Sequence, residues 1–200
     1  MAAITIPELG AVSKGLTDFT VAKYTMTNGA NKYSERMKLC AAATLGFSAD
    51  SASDSEAEFE NGDANESAPS IFNGGTLTLS VKGLSPAAAK FIYGLGTPDT
   101  SGWTDYDDTC QPPEVGFGFV KTVQYDGITA YQPIVLYRVV FQTEDMDFET
   151  LKKTINFKSQ ELKATVMRDL TPNHAWKSAG NYYATRSEAV TALNTKLGTA

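Results

Sequence analysis

The chain's 200 residues include a single histidine, His174, and this limits the chemistry open to them. A Ser-His-Asp triad needs a base held beside its nucleophile, and a histidine-rich metal site needs several imidazoles. His174 follows Pro172 in a turn-like stretch with no partner motif, so it reads as a surface residue. Cys40 and Cys110 could form one bridge. Residues Met1 to Gly10 lack the basic start and apolar core of a secretion signal, so two reduced, buried thiols are the preferred reading. Gly94-Leu95-Gly96 and Gly116-Phe117-Gly118 lack the further glycine of a phosphate-binding loop, and no Ser lies in a nucleophile elbow. Within a strand, Gly116 and Gly118 instead read as points of close packing or twist. Carboxylates are plentiful. Glu56, Glu58 and Glu60 would share one face of a strand, and Asp105, Asp107 and Asp108 crowd a loop. Neither group has the ligand spacing of a calcium loop. Glycoside cleavage needs two carboxyl groups ~5–10 Å apart in a cleft, and nothing in the sequence places a pair so. The expectation is a non-catalytic protein with no cofactor and no metal.

Composition is ordinary for a globular chain, 42% hydrophobic and 20% charged, and no run approaches the ~18 apolar residues of a membrane span. The net charge of −6 is unevenly spread. Residues 1–150 carry a net −11 and residues 151–200 a net +5. One reading is a solvated acidic face with a mildly basic tail. The other is self-association, in which the basic C-terminal part of one copy meets an acidic surface of the next. The acidic total disfavours tight binding to DNA phosphates.

The elements that would position these residues are mostly strands. Val115, Phe117, Phe119, Val123 and Tyr125 recur at period two, Asp126-Gly127 marks a tight turn, and Ile134 to Gln142 returns. On that return strand the spacing puts Val135, Tyr137, Val139 and Phe141 on one face. Thr154–Phe157 and Leu162–Arg168 continue the meander, with a bulge near Lys158–Glu161 to restore phase. Upstream, Phe19–Thr27 and Lys32–Leu39 flank an Asn28-Gly29 turn, and Cys40–Phe47 reads as a further extended piece. In Gly75–Gly83, Leu77, Leu79 and Val81 face in. Ser85 and Pro86 start a helix with an apolar stripe of Leu84, Ala88, Phe91, Ile92 and Leu95, closed by Gly94 and Gly96. Thr185 with Glu188 forms a capping box before a last helix carrying Val190, Leu193 and Leu197. Trp176, Tyr182 and Tyr183 read as a small aromatic patch. One domain spans 1–200, with an N-terminal arm (1–15), an acidic long loop (48–70) and a C-terminal extension (171–200). The loop holds seven acids and no Lys or Arg.

Two stretches carry a family resemblance. FNGGTLTLSVKGLSPAAAKFIYGLG (Phe72 to Gly96) resembles the strand–helix signature of major tail proteins from long-tailed, non-contractile bacteriophages and prophages. Pro112 to Asp169 looks like the core of the same family: V-G-F-G before an aromatic, a D-G turn, V-L-Y-R-V-V-F, then a segment built as I-x-F-x-S-x-x-L. The likeness covers most of the chain from Phe72 on. It implies a mainly β fold, an antiparallel sandwich or rolled barrel with one flanking α-helix, a short C-terminal helix and extended arms. It also implies a structural virion protein whose rings, hexameric in the family, stack into the tail tube around a tape-measure protein. Tail terminator and distal tail proteins would meet its ends, and double-stranded DNA would pass without specific binding. The protein would be made in the host cytoplasm and end in the virion tail. If four strands per subunit line a six-fold ring, about 24 tilted strands give a backbone diameter of roughly 45–50 Å, wide enough for a duplex.

Function would then reside in contacts between subunits. The expected contact residues are Ile4, Ile6 and Leu9 in the arm, Glu56, Glu58, Phe59 and Glu60 in the acidic loop, and Trp176 and Tyr182 in the tail. The alternative is a non-catalytic carbohydrate- or protein-binding β module of a phage tail, with Trp103, Tyr106, Tyr125 and Tyr131 stacking on sugars.

Overall fold

The computed structural model describes residues 3–4, 12–40, 44–52, 59–60, 63–64, 71–142 and 159–198. Its strands are β1 (Ala3–Ile4), β2 (Val12–Thr27), β3 (Ala30–Lys38), β4 (Thr44–Ala52), β5 (Phe59–Glu60), β6 (Asp63–Ala64) and β7 (Ile71–Val81). Helix α1 (Pro86–Tyr93) follows, then β8 (Val115–Tyr125), β9 (Ile128–Phe141), β10 (Gln160–Met167), β11 (Lys177–Ala179), β12 (Tyr182–Tyr183) and helix α2 (Arg186–Lys196). The fold is mainly β and antiparallel, with a flanking helix and a C-terminal helix, as the sequence implies. Ten of these strands form one unclosed sheet in the order β3-β2-β8-β9-β10-β7-β4, with β11 and β12 on β9 and β1 on β12, while β5 and β6 pair with each other as a separate two-stranded sheet.

Two tight turns set the hairpins. Thr27 pairs with Ala30 across Asn28 (φ 52°) and Gly29 (φ 74°), and Tyr125 pairs with Ile128 across Asp126 (φ 44°) and Gly127 (φ 76°). Positive φ at both central residues gives the turn whose twist matches the strands it joins. Strand β2 begins at Val12, where the sequence suggested an arm, because Val12 to Thr17 continue along β8 as far as Gln124. Likewise β4 runs on to Ala52, opposite Ile71, into the stretch read as acidic loop. The expected strand Thr154–Phe157 lies outside the described residues.

Each face of the sheet has its own core. On one, Phe19 and Val21 join Leu77, Leu79, Val81, Val115, Phe117, Val139, Phe141, Leu162, Ala164 and Val166, roofed by Ala88, Ile92 and Tyr93 of α1. On the other, Ala22, Val120 and Val135 lie under Ala189, Leu193 and Leu197. Strand β9 corrects the sequence reading: Val135 faces the α2 side, whereas Val139 and Phe141 face the larger core. Phe117 pairs with Leu136 but Val115 with Val139, so β9 spends an extra residue and bulges near Tyr137. A bulge flips the side-chain phase beyond it, which strict period-two counting cannot anticipate. Its freed backbone groups are used: the Tyr137 N–H donates to the Trp176 carbonyl (3.0 Å), and the Tyr33 hydroxyl donates to the Tyr137 carbonyl (3.0 Å). Burial pushes the Tyr33 hydroxyl far above its ordinary pKa, so it remains a donor.

Both helices start as their caps dictate. The Ser85 hydroxyl accepts from the Ala88 N–H at 3.1 Å, with Pro86 at the first helical position, and Gly94 closes α1 at φ 66°. The Thr185 hydroxyl accepts from the Glu188 N–H at 3.3 Å and donates to its carboxylate at 3.0 Å. Helix α2 rests against the two glycines of the V-G-F-G motif. A Cβ on Gly116 would meet the Tyr33 ring at 2.4 Å, and one on Gly118 would meet Leu193 at 2.6 Å. Close packing, as the sequence suggested, is what these glycines permit.

Candidate assembly surfaces

Of the acidic groups singled out by sequence, Asp107 is spent on local structure, as is nearby Asp99, while Glu56 and Glu58 lie outside the described residues. Asp99 accepts from the Ser101 and Trp103 N–H groups at 2.8 and 2.9 Å, shaping the loop after α1. Asp107 accepts from the Thr109 N–H at 2.8 Å and from the Thr109 hydroxyl. Those bonds, the hydroxyl's first, hold its carboxyl below the usual range. With Asp105, Trp103 and Cys110 it borders a shallow recess of about 380 Å³. Among the described residues no three His, Cys, Asp or Glu converge in a way that could hold a metal ion. His174 is exposed in a turn at φ 48°. Cys40 and Cys110 are unbridged and half-buried.

The expected contact residues are dispersed. Ile4 pairs through its backbone with Tyr182, joining the N-terminal strand to the C-terminal segment. Ile6, Leu9, Glu56 and Glu58 lie outside the described residues. Phe59 and Glu60 form β5, which pairs with β6 of the same chain (Phe59 with Ala64, Glu60 with Asp63). Trp176 stacks on Phe72 at 4.3 Å and on Phe47 at 5.3 Å between ring centres, with the Lys177 ammonium 4.9 Å from its centroid. This tryptophan pins the tail onto β4 and β7. Tyr183 packs toward α2 instead, so the three aromatics do not form one patch.

Sequence reasoning missed the polar latches that hold these segments in place. Arg186, the first residue of α2, grips Asp18 of β2 with two nitrogens, at 2.5 and 2.8 Å. Lys38 lies 3.9 Å away. The Arg186 hydrogen bond is the chief reason the Asp18 carboxyl sits below its ordinary pKa. Arg36 of β3 donates to the Asn194 and Gly198 carbonyls, satisfying the end of α2. Buried Asp169 accepts from the Asn31 amide at 2.7 Å and from the Thr171 hydroxyl at 2.8 Å, fastening the turn after β10 to the β2–β3 hairpin. Arg138 pairs with Glu114 beside the β9 bulge. The one usable signal was Asp18 itself, a carboxylate immediately before the expected strand that opens at Phe19.

Two sheet edges remain. Among the described strands β3 pairs only with β2, and β4 only with β7. Lys32, Glu35, Arg36 and Lys38 stud β3, a charge pattern that discourages indiscriminate edge pairing. Exposed apolar side chains occur at strand ends and loops: Val12 (75% exposed), Ile128, Met26, Leu170, Trp103 (75%) and Tyr106 (51%). Among the described residues no helix is long and apolar enough to cross a membrane. A scan against protein-family models finds no match, and a search of curated proteins finds no similar sequence.

Proposed function

We propose that this chain is a structural subunit of a phage tail tube, assembling through its edges into stacked rings that conduct the genome. The observation that carries this reading is the unclosed sheet with two terminal edges, β3 and β4. Strand edges accept strands of another copy, and a heterologous contact of that kind repeats until it closes into a ring. The motifs that resemble the major tail proteins support it: V-G-F-G opens β8, V-L-Y-R-V-V-F runs through the β9 bulge, and the Gly-Thr-Leu strand is β7, leading into α1. The polar latches bind segments of one chain together and leave the sheet edges open among the described strands. On this proposal the partners are other copies, a tape-measure protein within, terminator and distal tail proteins at the ends, and DNA in passage. The location is the virion tail. Sedimentation across a concentration series tests it. Discrete species of several subunits, growing with concentration, are expected, whereas a single subunit at every concentration, with or without tail-tip proteins, would count against it.

A second reading, a carbohydrate-binding module, draws on Trp103 and Tyr106, both exposed in the loop between α1 and β8. Tyr125 and Tyr131 are only half-exposed, and Tyr131 lies against the core under α2, so the four expected stacking residues do not share one surface. Glycan binding that disappears in Trp103→Ala, in a chain that does not assemble, would favour this reading over the tube.

A further inference from the structure

Trp103 is one of two tryptophans in the chain. Trp176 stacks on Phe72 and Phe47, whereas Trp103 is 75% exposed and belongs to neither core. A ring this large left in water forgoes the free energy that burial would bring. Its backbone is nevertheless fixed: the Asp99 N–H donates to the Trp103 carbonyl at 2.8 Å, and the Trp103 N–H donates to Asp99 Oδ1 at 2.9 Å. The indole is thus presented on a rigid base, a preorganisation that lowers the cost of binding. Beside it lies the recess of about 380 Å³, within the range of small-ligand sites, bordered also by Asp99, Asp105, Asp107, Thr97 and Thr109. That rim is rich in acceptors. Asp99 and Asp107 hold the loop through Oδ1, and a carboxylate, with two oxygens, retains further capacity. Asp105 is exposed. No Lys or Arg is among the lining residues, so the carboxylates repel an anionic ligand. Nor do they converge as metal ligands would, among the described residues. The ligand that fits presents an apolar face to the indole and hydrogen-bond donors to the rim. A pyranose does both, its C–H face covering the ring and its hydroxyls donating outward.

We infer that this recess is a saccharide-binding site for sugars without acidic groups, carried by the same chain that bears the assembly edges. Trp103 is its stacking platform, and the Asp105 carboxylate, with the neighbouring acceptors, orients the sugar hydroxyls. Tyr106 is not part of it, since that side chain borders a separate recess with Leu84, Pro86 and Leu95. The site is complete within one copy, so the inference goes beyond the tube reading and does not depend on it. A tube built of such subunits repeats the site at every copy, and sites of low individual affinity then act together on a glycan surface.

Fluorescence quenching and titration calorimetry on the full chain test this. Short oligomers of glucose, mannose, galactose and N-acetylglucosamine are the neutral probes, a glucosamine oligomer the cationic one and a galacturonic acid oligomer the acidic one. At least one neutral or cationic oligomer should protect Trp103 from acrylamide saturably, and the acidic oligomer should not. In calorimetry with that oligomer, Trp103→Ala should lose about tenfold or more in affinity, Asp105→Asn should lose less, and Trp103→Phe, which keeps a ring, should retain part of the binding. Thermal melts of all three should match the parent, because both side chains are exposed. No saturable protection by any oligomer, equal protection by the acidic one, or parental affinity in Trp103→Ala overturns the inference. So does protection by a lysine-rich peptide alone, which would assign the recess to a cationic peptide instead. Sedimentation of the same samples separates this site from the tube reading. Binding by a chain that assembles leaves both standing, whereas binding by a chain that stays single keeps the site and counts against the tube.

Discussion

Asp18 adopts φ 57° within β2, where the register against β8 slips between Thr17 and Thr20, and its carboxylate is 5% exposed. Arg186 reaches it from the start of α2 but stays 55% exposed, so solvent screens the pair and limits its worth to about 1 kcal/mol. Because the folded state lowers the Asp18 pKa, the contribution is complete above the ordinary carboxylate value of 3.8 and is lost as the pH falls through the lower, folded-state value. Asp18→Asn should therefore be less stable than the parent by about 1 kcal/mol at pH 7, and the gap should close in acid. Urea melts at neutral and acidic pH check this; a gap that persists unchanged in acid would show that the charge is not its source. Glycines offer a sharper contrast. A Cβ on Gly94 would lie 2.0 Å from the Gln111 carbonyl oxygen, a backbone atom, at a φ of 66° that disfavours side chains. One on Gly118 would press on the ends of Leu193 and Leu197, which can swing aside. Gly94→Ala should cost about 3 kcal/mol or more, and Gly118→Ala about 1–2 kcal/mol. The reverse order in thermal melts would contradict the packing described.

Helix α2 and the β9 bulge are the elements that convert a flat meander into a two-faced sheet. Leu193 is fully buried between α2 and the glycines of β8, so Leu193→Ala should cost about 2–5 kcal/mol. It should also raise hydrogen exchange along α2 before the larger core opens; uniform opening would mean the two cores are one cooperative unit. Much of this level was legible in the sequence. Caps at Ser85 and Thr185, the Asn28-Gly29 and Asp126-Gly127 turns, and the inward Leu77, Leu79 and Val81 each follow from local stereochemistry. The β9 bulge was not, because its cause is tertiary: the extra residue is held by Tyr33 from β3 and by the Trp176 carbonyl, both remote in sequence. The same holds for Trp176, whose ring is taken up by Phe72 and Phe47 of its own chain.

At the scale of the molecule, the proposed assembly draws on the charge asymmetry and on the two edges, β3 and β4, left open among the described strands. Ala52 and Ile71 face each other across β4 and β7, so residues 53–70 can be replaced by an Asn-Gly turn without removing either strand. If the acidic stretch contributes contacts, the shortened chain should fold with unchanged melting behaviour yet assemble only at several-fold higher concentration. Assembly at the parent's concentration would remove that stretch from the account. Negative-stain electron microscopy of the purified chain, across a concentration series and with tail-tip proteins added as nuclei, tests the central claim most directly. Rings or hollow tubes with a lumen wide enough for duplex DNA are the predicted result. Single subunits at every concentration, nuclei present, would contradict it.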